Sequence, residues 1–464
     1  MAERWRLLKQ AYYILRYLGP RVVWLRAGVY LGRMLGTTAR TFRRRPWERI
    51  DLATIARICR EVVHCVPVRP QRDAVHAPCR TTRGVAPAAA GDDLVGALKI
   101  AFLATGNFSH VRQFAEFLVA RGHDVHLVTY TDRNLAPIPG VTVHELAGDV
   151  DPRGAQHRKW RYFLVIPRLR RLLQTLRPHI LHGHYVTSAG LLSMLSGFKP
   201  YVLTAHGSDL AGSMQSPVWR LILRRVFAEA ALVHAGNAYL GELARQLGVP
   251  EHKLLVVPLG LKVERFRYRL PRRFESPLRL ISTRKLGDVY DPQTIVAGCA
   301  LLWEHGIPFH LTFAAGGSLE PTLREQTVAL GIAEQVTFLG GYDYATLPGL
   351  LGDHDVYLSA SRWDGTHLSL LEAMAAGLVP VVSRIPANEL WLEDGRTGLM
   401  FTIGSARELA DALARLTQGD VDWSVVTMTN RRRVEAEGDL QKTLPRLEER
   451  YLRLVADSRS RDRR

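Results

Sequence analysis

Short apolar runs alternate with amphipathic stretches from residue 97 onward, and one charged, proline-containing segment at 262–277 interrupts this alternation. Strands that are apolar almost throughout, with helices between them, are typical of parallel sheets covered on both faces. We therefore predict an α/β fold of two Rossmann-like parallel-sheet domains that face each other across a cleft. The predicted strands lie at 99–104, 124–130, 179–182, 201–204, 231–234 and 253–257, and then at 278–282, 309–313, 336–338, 355–358 and 379–382.

The pattern divides the chain into four predicted parts. Residues 1–95 form a basic, partly helical extension with a linker, and residues 96–268 form the first Rossmann-like domain. Residues 269–440 form the second domain, and residues 441–464 form a C-terminal helix with amphipathic spacing. We expect any ligand to bind in the cleft between the two domains, at the carboxyl ends of their strands.

The composition is that of a folded, two-domain protein. The chain has 464 residues, of which 47% are apolar and 23% are charged, and this balance excludes a mainly disordered chain. Two domains of this size can each bury a core of their own. The 4 cysteines are too few for a disulfide scaffold, so we expect a reducing, cytoplasmic setting.

Positive charge is concentrated at the start of the chain. The formal net charge is +18, and residues 1–90 alone contain 18 basic and 5 acidic residues. Arginines and a lysine interrupt the apolar stretch at 7–35, so we predict no transmembrane helix there. We expect residues 1–50 to lie on an anionic membrane surface, at its inner face. A helical subdomain packed on the enzyme is the alternative, and no nucleic-acid partner is expected because no recognisable module accompanies the charge.

The most informative chemistry lies in the segment 361–377, where a glycine-containing turn leads from a strand into a helix that begins around Leu368. Unpaired N–H groups at a helix start attract phosphate. Asp364 lies in the turn, and Glu372 lies eight residues later in an otherwise apolar run. A carboxylate in such surroundings needs hydrogen-bond donors, which either a ribose diol or local backbone N–H groups would supply.

The segment from Asp364 to Glu372 resembles the acidic-x7-Glu element of the family-four (group 1) retaining glycosyltransferases, which have the GT-B fold. The resemblance extends from about residue 98 to residue 455. Further matching elements follow in the family's order, namely Phe108-Ser-His110, Arg121-Gly-His123, His206-Gly-Ser-Asp209, Val257-Pro-Leu-Gly260, Arg284 and Asp394-Gly-Arg-Thr-Gly398.

The resemblance implies that residues 96–268 are the acceptor-side domain and residues 269–440 the nucleotide-sugar donor domain, and it implies a role for each of the main polar residues. Glu372 would hold the ribose hydroxyls of a nucleotide, and Asp364 would contact the donor sugar. Arg284 would neutralise the diphosphate, a task that suits guanidinium geometry. His206 would be a catalytic residue that contacts the sugar. The plainer alternative for His206 is an imidazole bonded to backbone groups at the end of its strand.

Several other residues are expected to border the donor. His367 is a candidate for donor selectivity, whereas Asp209 either binds the acceptor or caps a helix. The C-terminal helix would cross back to the first domain. The remaining donor-binding candidates are the amides of Gly365, Thr366, His367 and Leu368, the pair Gly106 and Asn107 after the first strand, and Gly316 beside the nucleotide.

The activity that the resemblance implies is transfer of a sugar from a nucleotide-sugar to a glycan or lipid-linked acceptor, with retained anomeric configuration. Stabilising the charge on the leaving diphosphate would be the main catalytic contribution. The resemblance implies no metal and no other cofactor, because this fold requires none. The expected setting is cell-surface polysaccharide or glycolipid synthesis at the cytoplasmic face of the membrane.

One departure from the family pattern keeps two alternatives open. The family often has a lysine five or six positions after the arginine, and here those positions are Val289 and Tyr290. A catalytically silent GT-B-fold binding protein would account for the missing cation. A nucleotide-sugar epimerase shares the two-domain fold, although the Asp364 to Glu372 element is not expected in that class.

Overall fold

The structure is a computed structural model. It describes residues 80–83, 96–104, 109–130, 135, 137–146, 164–269, 274, 276–365, 367–419 and 421–462. The predictions for residues 1–50 lie outside these ranges, and so do those for Gly106, Asn107 and Thr366. None of the helices in the described ranges combines the length and the apolar character that crossing a membrane requires.

The first half is built on an eight-stranded sheet in the order β1-β4-β3-β2-β5-β6-β7-β8. All neighbouring strands are parallel except β1 and β4. The strands are β1 (Arg80–Arg83), β2 (Lys99–Ala104), β3 (Asp124–Thr129), β4 (Val141–Glu145), β5 (Ile180–His184), β6 (Tyr201–Ala205), β7 (Leu232–Ala235) and β8 (Leu254–Val256).

The core of the first half lies on both faces of this sheet. Successive residues of β2 point to opposite faces, so Phe102 packs in one apolar cluster and Leu103 in another. The helices that cover the two faces are α1 (Ser109–Ala120), α2 (Ile166–Leu176), α3 (Leu191–Ser196), α4 (Ser208–Ala211), α5 (Pro217–Glu229) and α6 (Ala238–Gln246).

Strand β1 comes from the part of the chain that the sequence assigns to the extension and linker. Its backbone pairs antiparallel with β4, with Arg80 opposite Glu145 and Arg83 opposite Thr142. The segment Arg-Thr-Thr-Arg contains no apolar residue, so no hydrophobic pattern predicts it. Backbone pairing with an exposed sheet edge is enough to form such a strand. The extension is therefore joined to the first sheet at this edge.

The second half is built on a six-stranded parallel sheet in the order β11-β10-β9-β12-β13-β14. Together the two sheets confirm the predicted α/β architecture. The strands are β9 (Leu278–Ser282), β10 (Phe309–Phe313), β11 (Val336–Phe338), β12 (Val356–Ser359), β13 (Val379–Ser383) and β14 (Leu399–Phe401). The helices are α7 (Pro292–Glu304), α8 (Glu320–Ala329), α9 (Leu347–Gly352), α10 (Leu368–Ala376), α11 (Pro386–Glu389), α12 (Ala406–Arg415) and α13 (Trp423–Arg433).

The last helix, α14 (Leu440–Asp462), packs against the first half rather than the second. Its residues Leu444, Leu447 and Tyr451 are buried in the same apolar cluster as Phe102 of β2. The hydroxyl of Tyr451 lies 2.5 Å from Nδ1 of the buried His182, at the centre of the first sheet. The chain therefore returns to the first half after completing the second.

Candidate active site

The two halves are in contact where β6 and β12 end. Gly207 lies two residues after β6, and Gly365 lies in the loop between β12 and α10. A Cβ atom added to Gly365 would lie 2.0 Å from the Cα of Gly207 and 2.3 Å from the carbonyl oxygen of His206. The side chain of Asn237 donates a hydrogen bond to the carbonyl oxygen of Gly365. Glycine is therefore required at 365 for the two backbones to meet at the mouth of the cleft.

Arg284 is held at the carboxyl end of β9 by two side chains of the β12–α10 segment. One terminal nitrogen forms an ion pair with Asp364, and the other lies 3.0 Å from the hydroxyl of Ser369. The side chains of Arg284 and Asp364 are 13% and 15% exposed. Such a largely buried pair is oriented by both partners, so the guanidinium has a fixed direction before any ligand binds.

An aromatic ring, and not a second cation, packs on Arg284. The guanidinium carbon lies 4.4 Å from the ring centroid of Tyr290. Tyr290 is one of the two positions at which the family resemblance leads one to expect a lysine. The ring supports the guanidinium through a cation–π contact, but it adds no positive charge.

Glu372 lies in the second turn of α10 with only 7% of its surface exposed. Its Oε1 atom accepts a hydrogen bond from the Tyr344 hydroxyl at 2.9 Å, and that hydroxyl accepts one from Gln113 of α1 at 3.2 Å. Burial raises the pKa of Glu372 to about 7. Hydrogen-bond donors therefore favour the ionised form of Glu372. One of these donors, the Tyr344 hydroxyl, connects the two halves of the molecule.

His206 directly follows β6 and lies among other aromatic side chains. Its Nε2 lies 3.1 Å from Nδ1 of His184, and its ring centroid lies 4.3 Å from that of His110. Burial, with a smaller contribution from nearby imidazoles, lowers the pKa of His206 well below its ordinary value. His206 is therefore neutral at pH 7 and interacts through hydrogen bonds and not as a cation.

Tyr185 supports His206 from the side. The two rings are stacked, with centroids 4.6 Å apart and planes 15° from parallel. Tyr185 has φ of 77°, in the left-handed region, and it begins a π-helical turn from Tyr185 to Gly190. Strained backbone and π-turns concentrate at functional sites. The sequence carries no local signal for this residue, because nothing in its neighbourhood predicts a left-handed tyrosine.

Three imidazoles in this cluster lie close enough to hold a metal ion together. One nitrogen from each of His110, His184 and His206 lies within 4.8 Å of the others. Burial lowers the pKa of His110 to about 4, so its ring is uncharged at neutral pH, the form that binds a metal. The expectation of a metal-free site therefore needs a direct test.

Asp209 orders the loop after β6. Its Oδ1 accepts hydrogen bonds from the backbone N–H groups of His206 and Gly207, at 3.1 and 2.9 Å, and its Oδ2 accepts one from Val186 at 2.7 Å. The first residue of α4 follows Gly207, so Asp209 lies inside the helix and is not its capping residue. Because both carboxylate oxygens are engaged by backbone groups, this geometry favours positioning of His206 over contact with an acceptor.

The other predicted donor contacts differ in how free they are to bind. His367 is buried, with Nε2 3.1 Å from the Tyr357 hydroxyl and Nδ1 bonded to Asn388, so both ring nitrogens are used within the second half.

The N–H of Gly365 donates to Asp364 at 2.8 Å. Leu368 begins α10, and the carbonyl of Gly316 accepts from the N–H of Leu286 at 3.2 Å, close to Arg284. The structure thus brings Arg284, Asp364, Glu372 and His206 together, while the ring nitrogens of His367 are bonded within the second half.

Two family models match the chain, and together they cover more than half of it. The model described as a glycosyl transferase 4-like domain matches residues 106–260, and the one described as glycosyl transferases group 1 matches residues 292–419.

The curated relatives are bacterial glycosyltransferases. The amylovoran biosynthesis glycosyltransferase AmsK of Erwinia amylovora is 26% identical over 252 residues, which are 53% of this chain and 61% of that protein. The phosphatidyl-myo-inositol mannosyltransferase of Mycobacterium leprae is 29% identical over 350 residues, 68% of this chain and 89% of that protein. The chain spans about three fifths of the length of the first relatives that it matches.

Solved structures show the same fold at low sequence identity. A sucrose-phosphate synthase from Thermosynechococcus elongatus superposes with a TM-score of 0.64 at 17% identity, over 77% of this chain and 99% of that one. Anabaena HepE in complex with UDP-glucose superposes with a TM-score of 0.61 at 15% identity, over 78% and 99%. The family models and the relatives show that the chain belongs to the group 1 glycosyltransferases, and the two facing sheets and the solved structures show that it has the GT-B fold.

Proposed function

We propose that this chain is a retaining glycosyltransferase that moves a sugar from a nucleotide-sugar donor to a glycan or lipid-linked acceptor. The observation that carries the proposal is the convergence of His206, Arg284, Asp364 and Glu372 on one cleft, with Gly207 and Gly365 in contact at its mouth. The names of the relatives favour cell-surface polysaccharide or glycolipid as the product class.

Arg284 has the central role in the proposed reaction. The bond between the anomeric carbon and the diphosphate oxygen breaks, and the acceptor hydroxyl oxygen bonds to the same face of that carbon. Negative charge grows on the departing diphosphate, which also takes the proton of the acceptor hydroxyl. The guanidinium, already oriented by Asp364 and Ser369, stabilises that charge without reorganising.

His206 and Glu372 bind the two ends of the donor. A neutral His206 donates a hydrogen bond to a sugar hydroxyl, and Asp209 and Tyr185 hold its backbone and ring in place. Glu372 accepts hydrogen bonds from the ribose hydroxyls, in exchange for the one that Tyr344 donates. The donor is thus fixed at both ends while the bond between them breaks.

A catalytically silent binding protein is the second candidate, and Tyr290 is the observation that favours it. The ring of Tyr290 packs on the guanidinium of Arg284, whereas the family pattern often has a lysine at this position. Such a protein would bind the nucleotide through Glu372 but would stabilise the leaving diphosphate less.

A thermal-shift panel with UDP, GDP, ADP, CDP and their sugar adducts tests the donor site. A ligand that binds only the folded state raises the melting temperature by mass action. We expect a shift with one nucleotide class and a loss of that shift in Glu372→Ala. Release of the nucleoside diphosphate from the matching nucleotide-sugar then separates the two candidates: binding without release would favour the silent protein, and no shift with any nucleotide would overturn both.

The proposed reaction uses no metal, and the three imidazoles make this testable. We expect the rate of diphosphate release to be unchanged by EDTA. A loss of rate that added Zn²⁺ restores in the wild-type chain, but not in His184→Asn, would show instead that a metal takes part.

We also propose that residues 1–50 bind an anionic membrane surface, on the basis of their arginine content and interspersed aromatic residues. The chain should float with vesicles of phosphatidylglycerol and phosphatidylcholine, and a chain lacking residues 1–50 should not. Flotation that persists after the deletion would contradict this proposal.

A further inference from the structure

A cavity of about 290 Å³ lies beside the candidate active site, in the second half of the molecule. Two short segments form it, the turn Asp288–Tyr290 with the start of α7, and the loop just before Asp364. The N–H of Arg362 donates to the carbonyl oxygen of Val289 at 2.8 Å and holds the two segments together. The residues that line the cavity are Asp288, Val289, Asp291, Gln293, Arg362 and Trp363.

The cavity adjoins the residues assigned to the reaction. Trp363 directly precedes Asp364, which pairs with Arg284. Tyr290, at the end of the turn, packs on the guanidinium of Arg284. A ligand in the cavity would therefore lie next to the sugar-transfer centre without occupying the positions assigned to the nucleotide.

Asp291 is unusual in three respects. It occupies the capping position of α7, yet its side chain makes no capping hydrogen bond. It has φ of 45°, a left-handed conformation that is uncommon for a residue other than glycine. It is only 4% exposed, and its Oδ2 has no aligned hydrogen bond, although Arg362 lies 3.0 Å away as an ion-pair partner.

These features cost stability, because an aspartate at this position ordinarily accepts a hydrogen bond from the first turn of its helix. A strained, uncapped and buried carboxylate that lines a cavity is the kind of outlier from which a functional role is inferred. Oδ2 of Asp291 is paired with Arg362 but accepts no aligned hydrogen bond, so it can accept one from a ligand in the cavity.

The chemistry of the lining selects the class of ligand. The partly exposed indole of Trp363 offers a flat apolar face, while the carboxylates, the Gln293 amide and the Arg362 guanidinium offer acceptors and donors. A pyranose has an apolar face of C–H groups and a rim of hydroxyls, and it matches such a site. Two carboxylates against one guanidinium leave the cavity with an excess of negative charge, which disfavours a phosphate.

We propose that this cavity is a subsite for a neutral sugar residue of the acceptor, stacked on Trp363 and hydrogen-bonded to Asp291. This inference rests on the proposed function, since an acceptor exists only if sugar transfer takes place. The subsite would bind the acceptor beside Asp364 and so direct one of its hydroxyls toward the donor.

Fluorine NMR of the full chain labelled with 5-fluorotryptophan tests the subsite. The chain has 9 tryptophans, and the resonance absent from Trp363→Phe assigns Trp363. The probes are the methyl glycosides of glucose, galactose, mannose and N-acetylglucosamine, with maltose and lactose, each at high millimolar concentration. We expect at least one neutral sugar to shift the Trp363 resonance in a saturable way.

Trp303 is the matched control, because it lies at the other end of α7 and is 40% exposed. Its resonance, assigned with Trp303→Phe, should not move with the same sugars. Asp291→Asn should lower the affinity for the sugar that shifts the Trp363 resonance about tenfold, because it removes a charged hydrogen-bond acceptor. Asparagine tolerates the left-handed backbone, so the fold should be unchanged. An unchanged affinity in this variant would overturn the role of Asp291.

The outcomes separate the subsite from the proposed function. If a nucleotide raises the melting temperature but no sugar moves Trp363, the subsite is wrong and the donor site stands. If inorganic phosphate or diphosphate moves Trp363 more than any sugar does, the cavity binds anions and the sugar assignment is overturned. If no nucleotide binds, the proposed function fails, and a sugar that still moves Trp363 marks a lectin-like site in place of an acceptor subsite.

Discussion

At the scale of single residues, Glu372 shows how burial and function compete. Its carboxyl group lies on an apolar helix, so the ionised form is disfavoured and the pKa rises from 4.5 to about 7. Between these pH values the folded chain binds more protons at Glu372 than the unfolded chain does. Its contribution to the free energy of unfolding therefore falls as the pH rises from about 4.5 to 7.

Nucleotide affinity should depend on the same ionisation. The ionised carboxylate is the stronger acceptor for ribose hydroxyls, so we expect the affinity for the preferred nucleoside diphosphate to rise with pH until about 7 and then to level off. Calorimetric titrations from about pH 5.5 to about 8.5, on both sides of a pKa near 7, measure this affinity. Glu372→Gln should bind more weakly and lose this rise, and an unchanged pH profile in that variant would exclude Glu372 as its origin.

Tyr344 should set the position of that transition. Its hydroxyl donates to Oε1 of Glu372, which favours the ionised form. In Tyr344→Phe we therefore expect the pKa of Glu372 to rise and the affinity transition to move to higher pH. A transition that moves to lower pH, measured by the same titrations, would contradict this hydrogen bond.

His206 should affect turnover more than binding. Its imidazole is neutral and is held by Tyr185 and the Asp209 loop. We expect His206→Asn to lower kcat by about a hundredfold, the order found for a lost transition-state hydrogen bond, with little change in nucleotide affinity. If affinity and kcat fell together, His206 would have a general binding role.

At the scale of elements, the C-terminal helix α14 stabilises the half of the molecule that it returns to. Leu447 is 2% exposed within the core of the first half, whereas Leu452 on the same helix is 37% exposed. Leu447→Ala should lower the free energy of unfolding by about 2–4 kcal/mol, because it leaves a cavity. Leu452→Ala, measured in the same urea titrations, should cost much less, and equal losses would argue against docking of α14.

The elements that the sequence predicts well are those with a strong apolar run. Strand β2 is buried on both faces and only its first residue, Lys99, is polar, so its position follows from the pattern. The predicted strands leave out β1, β4 and β14. Strand β1 has no apolar residue, β4 alternates apolar and polar residues, and β14 has only 3 residues, although β8 and β11 are equally short and are predicted. Backbone pairing with a neighbouring strand determines such short or polar strands.

The candidate site divides in the same way. Asp364, Glu372 and Arg284 lie in segments whose order along the chain indicates the family, so the sequence can identify them. Tyr344, Gln113 and Tyr185 act through contacts between parts of the chain far apart in sequence, or through a left-handed backbone, and neither has a local pattern. For His367 the sequence indicates proximity to the site, but only packing shows that both ring nitrogens are engaged.

At the scale of the whole molecule, the contact between Gly207 and Gly365 sets how far the two halves can close. A methyl group on Gly365 would meet the backbone of Gly207 and His206, whereas one on Gly349 of α9 would meet no atom within 4 Å. We expect Gly365→Ala to hold the halves apart, with a larger radius of gyration in small-angle scattering and a loss of sugar transfer. Gly349→Ala is the matched control and should leave both unchanged, and a Gly365→Ala chain as compact as the wild type would contradict the contact.

The same contact has a consequence for affinity. With the two backbones touching, no gap is left for a pyranose between His206 and Gly365, so a donor must enter a form of the molecule in which the halves have separated. The measured dissociation constant then equals the intrinsic one divided by the fraction of molecules that are open. A single methyl group at position 365 removes that penalty, and the variant that no longer transfers sugar should bind its nucleotide-sugar more tightly than the wild type does.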